Sequence, residues 1–231
     1  MKCFLLAVAV ACCALELGEL PRIAAADPPA KAEVVVVGQQ MGSVNRRFSE
    51  EVEGKKIEHD MVYLVLKLDD RTSLVAVVDL NTLEKEEANR FRFNLVASPW
   101  LGIKGQLGLA AKADAKTVGG FGDAALLKVK DGERVVLAAK SIVVIDEKNA
   151  GAYPPKGKAR VEGKPLCGKV DLKLLDEPTL AVANDPFPLI LDGEKSKATA
   201  GKNAIRVVGS LKVDPKGLLR LLADEVGDVG K

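Results

Sequence analysis

The residue best suited to acid–base chemistry in this sequence is His59, its single histidine. Glu58 and Asp60 flank it, and a hydrolase that activates a serine or cysteine through histidine has to use this residue. His59 lies in a polar stretch before the apolar run that begins at Met61, and such a stretch is typical of an exposed loop. We therefore expect no catalytic residue. A hydrolase that uses His59 or carboxylates is the enzyme alternative.

Metal ligands are few in the sequence. A zinc site needs three or four clustered histidine, cysteine or carboxylate ligands, and neither their number nor their spacing is present. Asp69, Asp70 and Asp79 could converge to bind calcium, but no Asp-x-Asp-x-Asp-Gly loop occurs and the first two residues suit a reverse turn. We expect no metal and no other cofactor.

A glycine run at residues 119–122 (GGFG) is similar to a phosphate-binding loop only in composition. Such a loop needs a helix directly after it, because the helix N-terminus holds the phosphate. The residues that follow, 123–127 (DAALL), lead into a predicted hairpin strand instead. The run is therefore interpreted as a flexible loop between strands.

Two basic stretches raise the question of nucleic-acid binding. If residues 90–93 (RFRF) form a strand, the arginines lie on one face and the phenylalanines on the other, so they cannot grip a base and its phosphate together. In residues 46–60, Arg46, Arg47 and two lysines are offset by acidic side chains. The formal net charge is only +2 and 4% of the residues are aromatic, so we expect no nucleic-acid partner.

The first 26 residues have the composition of a signal peptide. Lys2 gives a basic start, residues 3–15 are apolar, and three alanines at 24–26 provide small residues before Asp27. A membrane anchor is the alternative, but the apolar run is shorter than the about 20 residues that a bilayer requires. A lipoprotein anchored at Cys12 is a minor alternative. We expect cleavage after residue 26, a periplasmic or secreted protein, and no membrane span in the mature chain.

The composition of the mature chain is that of a globular protein. After removal of residues 1–26, Cys167 is the one remaining cysteine, so no intramolecular disulfide can form. We expect it to be a small apolar residue in a strand. The whole chain is 48% hydrophobic and 29% charged, and the mature part is long enough to bury a core without disulfide bonds.

Short runs of β-branched and aliphatic residues, separated by Gly, Asp, Asn and Pro, predict an all-β fold. Strict alternation at 205–213 and 169–174 is the clearest sign, because neighbouring side chains of a strand point to opposite faces. A short helix is predicted at 81–89, and residues 218–226 fit a strand better than a helix. The other predicted strands are 34–37, 61–68, 73–80, 91–96, 102–111, 124–130 and 134–145, with turns at 69–72 and 131–132.

A composition break at residues 149–158 (NAGAYPPKGK) divides the chain, since its two adjacent prolines disrupt both helix and sheet hydrogen bonds. We predict domains at 27–150 and 157–231, joined by a linker at 151–156. The two halves share an order of strands. Two short motifs occupy corresponding points in this order: Gly105-Gln106-Leu107 and Gly209-Ser210-Leu211.

Five strands in that order, interrupted between the third and the fourth, are typical of a small Greek-key barrel of the OB type. The second half, ARVEGKPLCGKVDLKL through AIRVVGSLKVDPKGLLRLLADEV, resembles the OB-like domains of exported, mostly uncharacterised bacterial proteins. In the first half, GERVVLAAKSIVVID is similar to their closing strand. The resemblance implies two small OB-like Greek-key barrels in tandem. Some of these domains carry several cysteines near the position of Cys167, and this chain has one, so no metal site is implied.

An OB barrel binds ligands across its second and third strands and through the loops that join strands one to two and four to five. Those loops correspond here to residues 42–60 and 112–122. Anchoring of the loops against the barrel is the alternative role of the phenylalanines in them. The candidate ligand-binding residues are Arg46, Arg47, Phe48 and Phe121.

These features favour a non-enzymatic exported module that binds an unknown small ligand or an envelope protein. Two alternatives remain open. One is an envelope structural component that assembles through exposed strand edges. The other is the hydrolase based on His59 or on carboxylates.

Overall fold

β-Strands dominate the part of the chain that the computed structural model describes, which confirms the all-β prediction. The predicted signal peptide, Phe121, Cys167 and the strand predicted at 169–174 lie outside this part. No helix in it is long and apolar enough to cross a membrane. The described residues are 32–93, 99–110, 116–118, 120, 126–129, 132–163, 165–166, 181–182, 189–193 and 204–229.

The described strands belong to one sheet of eleven strands. Those of the first half are β1 (Glu33–Val52), β2 (Lys55–Lys67), β3 (Ser73–Asp79), β4 (Trp100–Leu109) and β5 (Val135–Val144). The helix predicted at 81–89 is observed as two pieces, a 3-10 turn (Leu80–Thr82) and helix α1 (Lys85–Phe93). Helix α1 extends beyond the predicted end. The strands of the second half are β6 (Ala159–Gly163), β7 (Pro165–Leu166), β8 (Ala181–Val182), β9 (Leu189–Asp192), β10 (Ile205–Val213) and β11 (Leu219–Asp228).

Strand pairing follows the same order in both halves. In the first half, β1 is antiparallel to β2, β2 to β3, β5 to β4 and β4 to β1, whereas β3 and β5 are parallel. In the second half, β7 is antiparallel to β8, β8 to β9, β11 to β10 and β10 to β6, whereas β9 and β11 are parallel. The two orders match when β6 and β7, separated by residue 164, are counted as one strand.

The two halves are joined through β1, which pairs with β6 as well as with β4. Val37 N donates to Lys158 O at 3.0 Å, and Gly157 N donates to Val37 O at 2.9 Å. The ring of Tyr153 occupies the space beside Gly102, where a Cβ would come within 2.7 Å of it. The segment before β6 is therefore packed against the first half.

One cluster of buried apolar side chains runs through both halves. In β10 burial alternates as predicted, with Ile205, Val207 and Leu211 buried and their neighbours partly exposed. The alternation arises because successive side chains of a strand point to opposite faces. Residues 218–226 lie mostly in β11, which confirms the preference for a strand there.

The predicted turns close with backbone hydrogen bonds. Leu68 N donates to Thr72 O at 2.9 Å in the turn between β2 and β3. Val129 N donates to Glu133 O at 2.9 Å across the turn predicted at 131–132, and Gly132 has a φ of 75°. Glycine suits this turn because a positive φ strains any residue with a Cβ.

The strand predicted at 91–96 is wrong for the residues described there, because α1 continues through Phe93. Lys85 begins α1, Glu86 and Glu87 lie in its first turn, and Arg90 and Arg92 lie in its last turn. The two glutamates and the two arginines interact favourably with the helix dipole. Of the α1 side chains that the structure describes, Ala88 and Phe91 are buried, and a spacing of three residues places them on one face. The alternation of arginine and phenylalanine at residues 90–93 is too short to distinguish a strand from a helix.

Residues 42–60, predicted as a loop, form the ends of β1 and β2 instead. The two strands meet in a turn at Glu53 (φ 52°) and Gly54 (φ 74°), the positive values that a type I′ hairpin requires. Charged residues such as Arg46 and Glu50 interrupt the apolar residues on one face of the hairpin, so no strict alternation marks its strands.

Candidate ligand-binding site

The hairpin of β1 and β2 carries three of the four predicted site residues. Phe48 lies opposite His59, Arg47 opposite Asp60, and Arg46 opposite Met61. Because side chains alternate along a strand, Arg46, Phe48 and His59 share one face, which we call the aromatic face. Arg47 and Asp60 lie on the other, which we call the ion-pair face.

The aromatic face is built around a stack of Phe48 on His59, whose ring centroids are 4.9 Å apart with an interplanar angle of 27°. His59 Nδ1 lies 2.6 Å from Asp79 Oδ2, and His59 Nε2 lies 3.8 Å from Glu50 Oε2. The side chain of His59 is only 23% exposed. The expectation of an exposed loop histidine is therefore wrong, since strand pairing brings a distant aspartate to it.

Asp79 fixes the imidazole. Its Oδ1 accepts hydrogen bonds from Asp60 N at 3.1 Å and Asn81 N at 3.0 Å. Burial alone would raise the pKa of Asp79, but the hydrogen bonds from His59 and the two backbone N–H groups outweigh burial and lower that pKa. An ionised carboxylate only accepts, so Nδ1 of His59 donates to it and Nε2 keeps a lone pair in the neutral ring.

The ion-pair face holds Asp60 between two arginines. Arg47 Nε lies 3.2 Å from Asp60 Oδ1, and Arg92 Nη2, from α1, lies 2.9 Å from Asp60 Oδ2. Burial alone would raise the pKa of Asp60, but the hydrogen bonds and charges of Arg47 and Arg92 lower it below its usual value. This network ties the last turn of α1 to the base of the hairpin.

Arg46 connects the hairpin to the segment between β4 and β5. Its guanidinium carbon lies 5.1 Å from the centre of the Phe48 ring, a cation–π arrangement, and its Nη1 lies 3.5 Å from Thr117 Oγ1. Arg46 and Thr117 lie in the two segments, residues 42–60 and 112–122, in which the ligand site was predicted. Of the four predicted site residues, Arg46 and Phe48 contact each other, Arg47 faces away from them, and Phe121 is outside the described residues.

A cavity of about 480 Å³ lies at the base of the hairpin and reaches residues of both faces. Its volume suits a small ligand. Asp79, Asn81 and Arg92 were not predicted as part of this site. The spacing of Asp79 and Asn81 is typical of a helix N-cap, so their contact could have been predicted from the sequence. Nothing in the sequence links Arg92 to Asp60. The lining residues are Arg47, Phe48, Ser49, Glu58, His59, Asp60 and Asn81.

A larger cleft, of about 720 Å³, lies beside the turn between β2 and β3 and includes Lys212 of β10. Turn residues such as Asp69 and Arg71 form much of its wall. Asp69 Oδ1 already accepts Arg71 N at 2.7 Å, as a turn former does. The hairpin cavity is the better candidate, because it contains the partly buried imidazole of His59, whose Nε2 has no hydrogen-bond partner.

The face of β2 and β3 that carries Tyr63 and Val75 is covered by other parts of the chain. Val118 and Leu126, which follow β4 in the sequence, pack against this face, and all four side chains are buried. The part of the second and third strands around Tyr63 and Val75, where a ligand surface was expected, is therefore not accessible to a ligand. The open surface lies further out, on the hairpin.

No metal centre is found among the described residues, since no three of their His, Cys, Asp or Glu side chains are grouped to hold an ion. Comparison with known proteins gives no further assignment. No protein-family model matches the chain, and no curated protein matches it. The function is therefore inferred from the geometry of the hairpin.

Proposed function

We propose that this chain is an exported, non-enzymatic binding module built from two tandem OB-like Greek-key barrels, with domains at 27–150 and 157–231 and a linker at 151–156. The circuit of pairings β1-β2-β3-β5-β4-β1 supports the first barrel, and α1 lies between its third and fourth strands. The matching circuit from β6 to β11 supports the second barrel.

The ligand site that we propose is the cavity at the base of the hairpin. One observation carries this proposal: Nε2 of His59 is buried without a hydrogen-bond partner, in a ring that stacks on the half-buried Phe48. A buried acceptor without a partner is unfavourable, and a ligand donor would satisfy it. Arg46, whose guanidinium carbon lies 5.1 Å from the centre of the Phe48 ring on the same face, offers a charge for an anionic group.

The ligand class follows from these three groups. A flat apolar portion packs on Phe48, a hydroxyl or amine donates to His59 Nε2, and a carboxylate pairs with Arg46 on the same face. A small planar carboxylate that carries a hydrogen-bond donor meets all three requirements.

The test is a titration of the ¹⁵N-labelled full chain with a panel of small aromatic hydroxy- and amino-carboxylates, followed by amide shifts. The proposal expects shifts at residues 46–49, 57–60 and 79–81. Phe48→Ala should weaken binding at least about tenfold, whereas Val52→Ala, a matched exposed residue nearer the tip of the same hairpin face, should not. Shifts confined to other parts of the chain, or no binding by any member of the panel, would refute the site.

A hydrolase is the second candidate, because Asp79 orients His59 at 2.6 Å in the manner of the acid and base of a catalytic triad. Ser49 lines the same cavity, but its side chain projects from the ion-pair face, away from the imidazole. Turnover of ester or amide substrates that disappears in His59→Ala would favour this candidate over the binding module. Turnover that persists in the variant would exclude a role for the histidine.

A further inference from the structure

The outer part of β1 has an edge that pairs with no other described strand. On this side, β1 pairs with β4 as far as Gln39, and Gln40 N still donates to Pro99 O at 2.9 Å; beyond that point the described part of the chain pairs β1 with β2 alone. The opposite edge of the hairpin, on β2, is closed by side chains instead. Asn81 Nδ2 donates to Glu58 O at 2.8 Å, and Asp60 N donates to Asp79 Oδ1 at 3.1 Å.

These two hydrogen bonds show which backbone groups of β1 face its free edge. Since Glu58 O and Asp60 N point away from β1, their opposite residues Ser49 and Arg47 form non-hydrogen-bonded pairs with them. The N–H and C=O groups of Arg47, Ser49 and, two residues on, Glu51 therefore point outwards. Exposed groups in such a row are a template for another strand.

We propose that this edge pairs antiparallel with the same edge of a second copy of the chain, with the two-fold axis at Ser49. Residues 47, 49 and 51 of one copy then lie opposite residues 51, 49 and 47 of the other. Each hydrogen-bonded pair exchanges two bonds, so the contact makes about six backbone hydrogen bonds. The sheet continues from one copy into the next, and the interface shares Arg47, Phe48 and Ser49 with the lining of the cavity at the base of the hairpin.

Charge selects this register. With Ser49 at the axis, Arg47 of each copy faces Glu51 of the other, which gives two attractive cross-strand pairs. A register centred on residue 47 places Arg47 opposite Arg47, and one centred on residue 51 places Glu51 opposite Glu51. A second copy is therefore a better occupant than a strand of unspecified charge.

The aromatic face supports the same register. Phe48 of one copy becomes a diagonal neighbour of Phe48 in the other, a separation that aromatic side chains can bridge. Arg46 likewise becomes a diagonal neighbour of Glu50 across the interface. The exposed apolar side chain of Val52 would lie opposite Arg46 and cover part of its aliphatic stem.

The first test is sedimentation of the full chain over about 1–100 µM, a range in which weak interfaces dissociate. We expect a monomer–dimer equilibrium. Ser49→Pro should raise the dimer dissociation constant at least about tenfold, because proline removes an outward N–H but is tolerated on an edge strand. Ser49→Ala, which keeps the N–H, should leave the constant within about twofold. A monomer at all concentrations, or a dimer that Ser49→Pro does not affect, overturns the proposal.

The second test does not depend on how proline affects the hairpin. Directly opposite residues of a hydrogen-bonded antiparallel pair have Cα atoms about 5.5 Å apart, within the range of a disulfide. With the native cysteines replaced by serine, Ser49→Cys should form a crosslinked dimer on mild oxidation. Glu51→Cys should not, because residue 51 faces residue 47 of the other copy. Equal crosslinking of the two variants, or none, overturns the register.

Discussion

Gly105 of β4 and Gly209 of β10 occupy the same place in the two halves of the chain. Each lies at a point where the register with the neighbouring strand shifts by one residue, β5 in the first half and β11 in the second. A Cβ on Gly105 would lie 2.2 Å from Ala138 O, and a Cβ on Gly209 would lie 2.0 Å from Leu222 O. The same close backbone approach is therefore built twice, at the two motifs that the sequence marked as corresponding.

Replacement of either glycine by alanine should destabilise the protein by about 2–3 kcal/mol, because the partner carbonyl belongs to a backbone that cannot move aside freely. The matched control is Gly108→Ala, also in β4, where a Cβ would meet no atom within 4 Å. That change should leave stability within about 1 kcal/mol. Urea unfolding of the three variants checks this, and equal losses in all of them would contradict it.

The sequence predicted those elements whose pattern is local. Ile205, Val207 and Leu211 alternate with polar residues, so β10 could be recognised without its neighbours. The hairpin could not be recognised, because it stands away from the core and charged residues such as Arg46 and Glu50 interrupt the apolar residues of its aromatic face. His59 was misplaced for a related reason: its partner Asp79 is 20 residues away in sequence, and only strand pairing brings the two together.

Asp60 should make stability depend on acidic pH. Its pKa is lowered from the usual 3.8 in the folded chain, so its contribution is complete above about pH 4 and is lost as the pH falls through the folded pKa. Asp60→Asn should reduce stability at pH 7 by about 1–2 kcal/mol, since Arg47 and Arg92 lose a charged partner. The difference from the unchanged protein should shrink towards pH 2.

Thermal unfolding between pH 7 and pH 2 measures that difference. Glu84→Gln is the control, because Glu84 is exposed and lies outside the network. The stability of Glu84→Gln should match that of the unchanged protein at every pH. A gap between Asp60→Asn and the unchanged protein that stays constant down to pH 2 would show that the two arginines do not lower the pKa of this carboxyl.

The hairpin turn should gain stability from one substitution. Glu53 has a φ of 52°, a left-handed conformation that is unfavourable for most residues with a Cβ and better tolerated by asparagine. Glu53→Asn, which creates the preferred Asn-Gly turn, should stabilise the hairpin by about 0.5–1 kcal/mol. Glu53→Gln removes the same charge without this tolerance and should give little gain. Amide hydrogen exchange of residues 44–62 distinguishes the two, and similar protection in both would assign any effect to charge.

Phe91 should be the main anchor of α1. Its side chain is fully buried in the core, whereas Arg90 beside it is exposed and pairs with Glu87 at 3.0 Å. Phe91→Ala should destabilise the protein by about 3–5 kcal/mol, and Arg90→Ala by less than about 0.5 kcal/mol. Because Arg92 of the same helix holds Asp60, the phenylalanine variant should also speed amide exchange at the base of the hairpin. Exchange there that stays unchanged would mean that the hairpin holds its ion pairs without support from the helix.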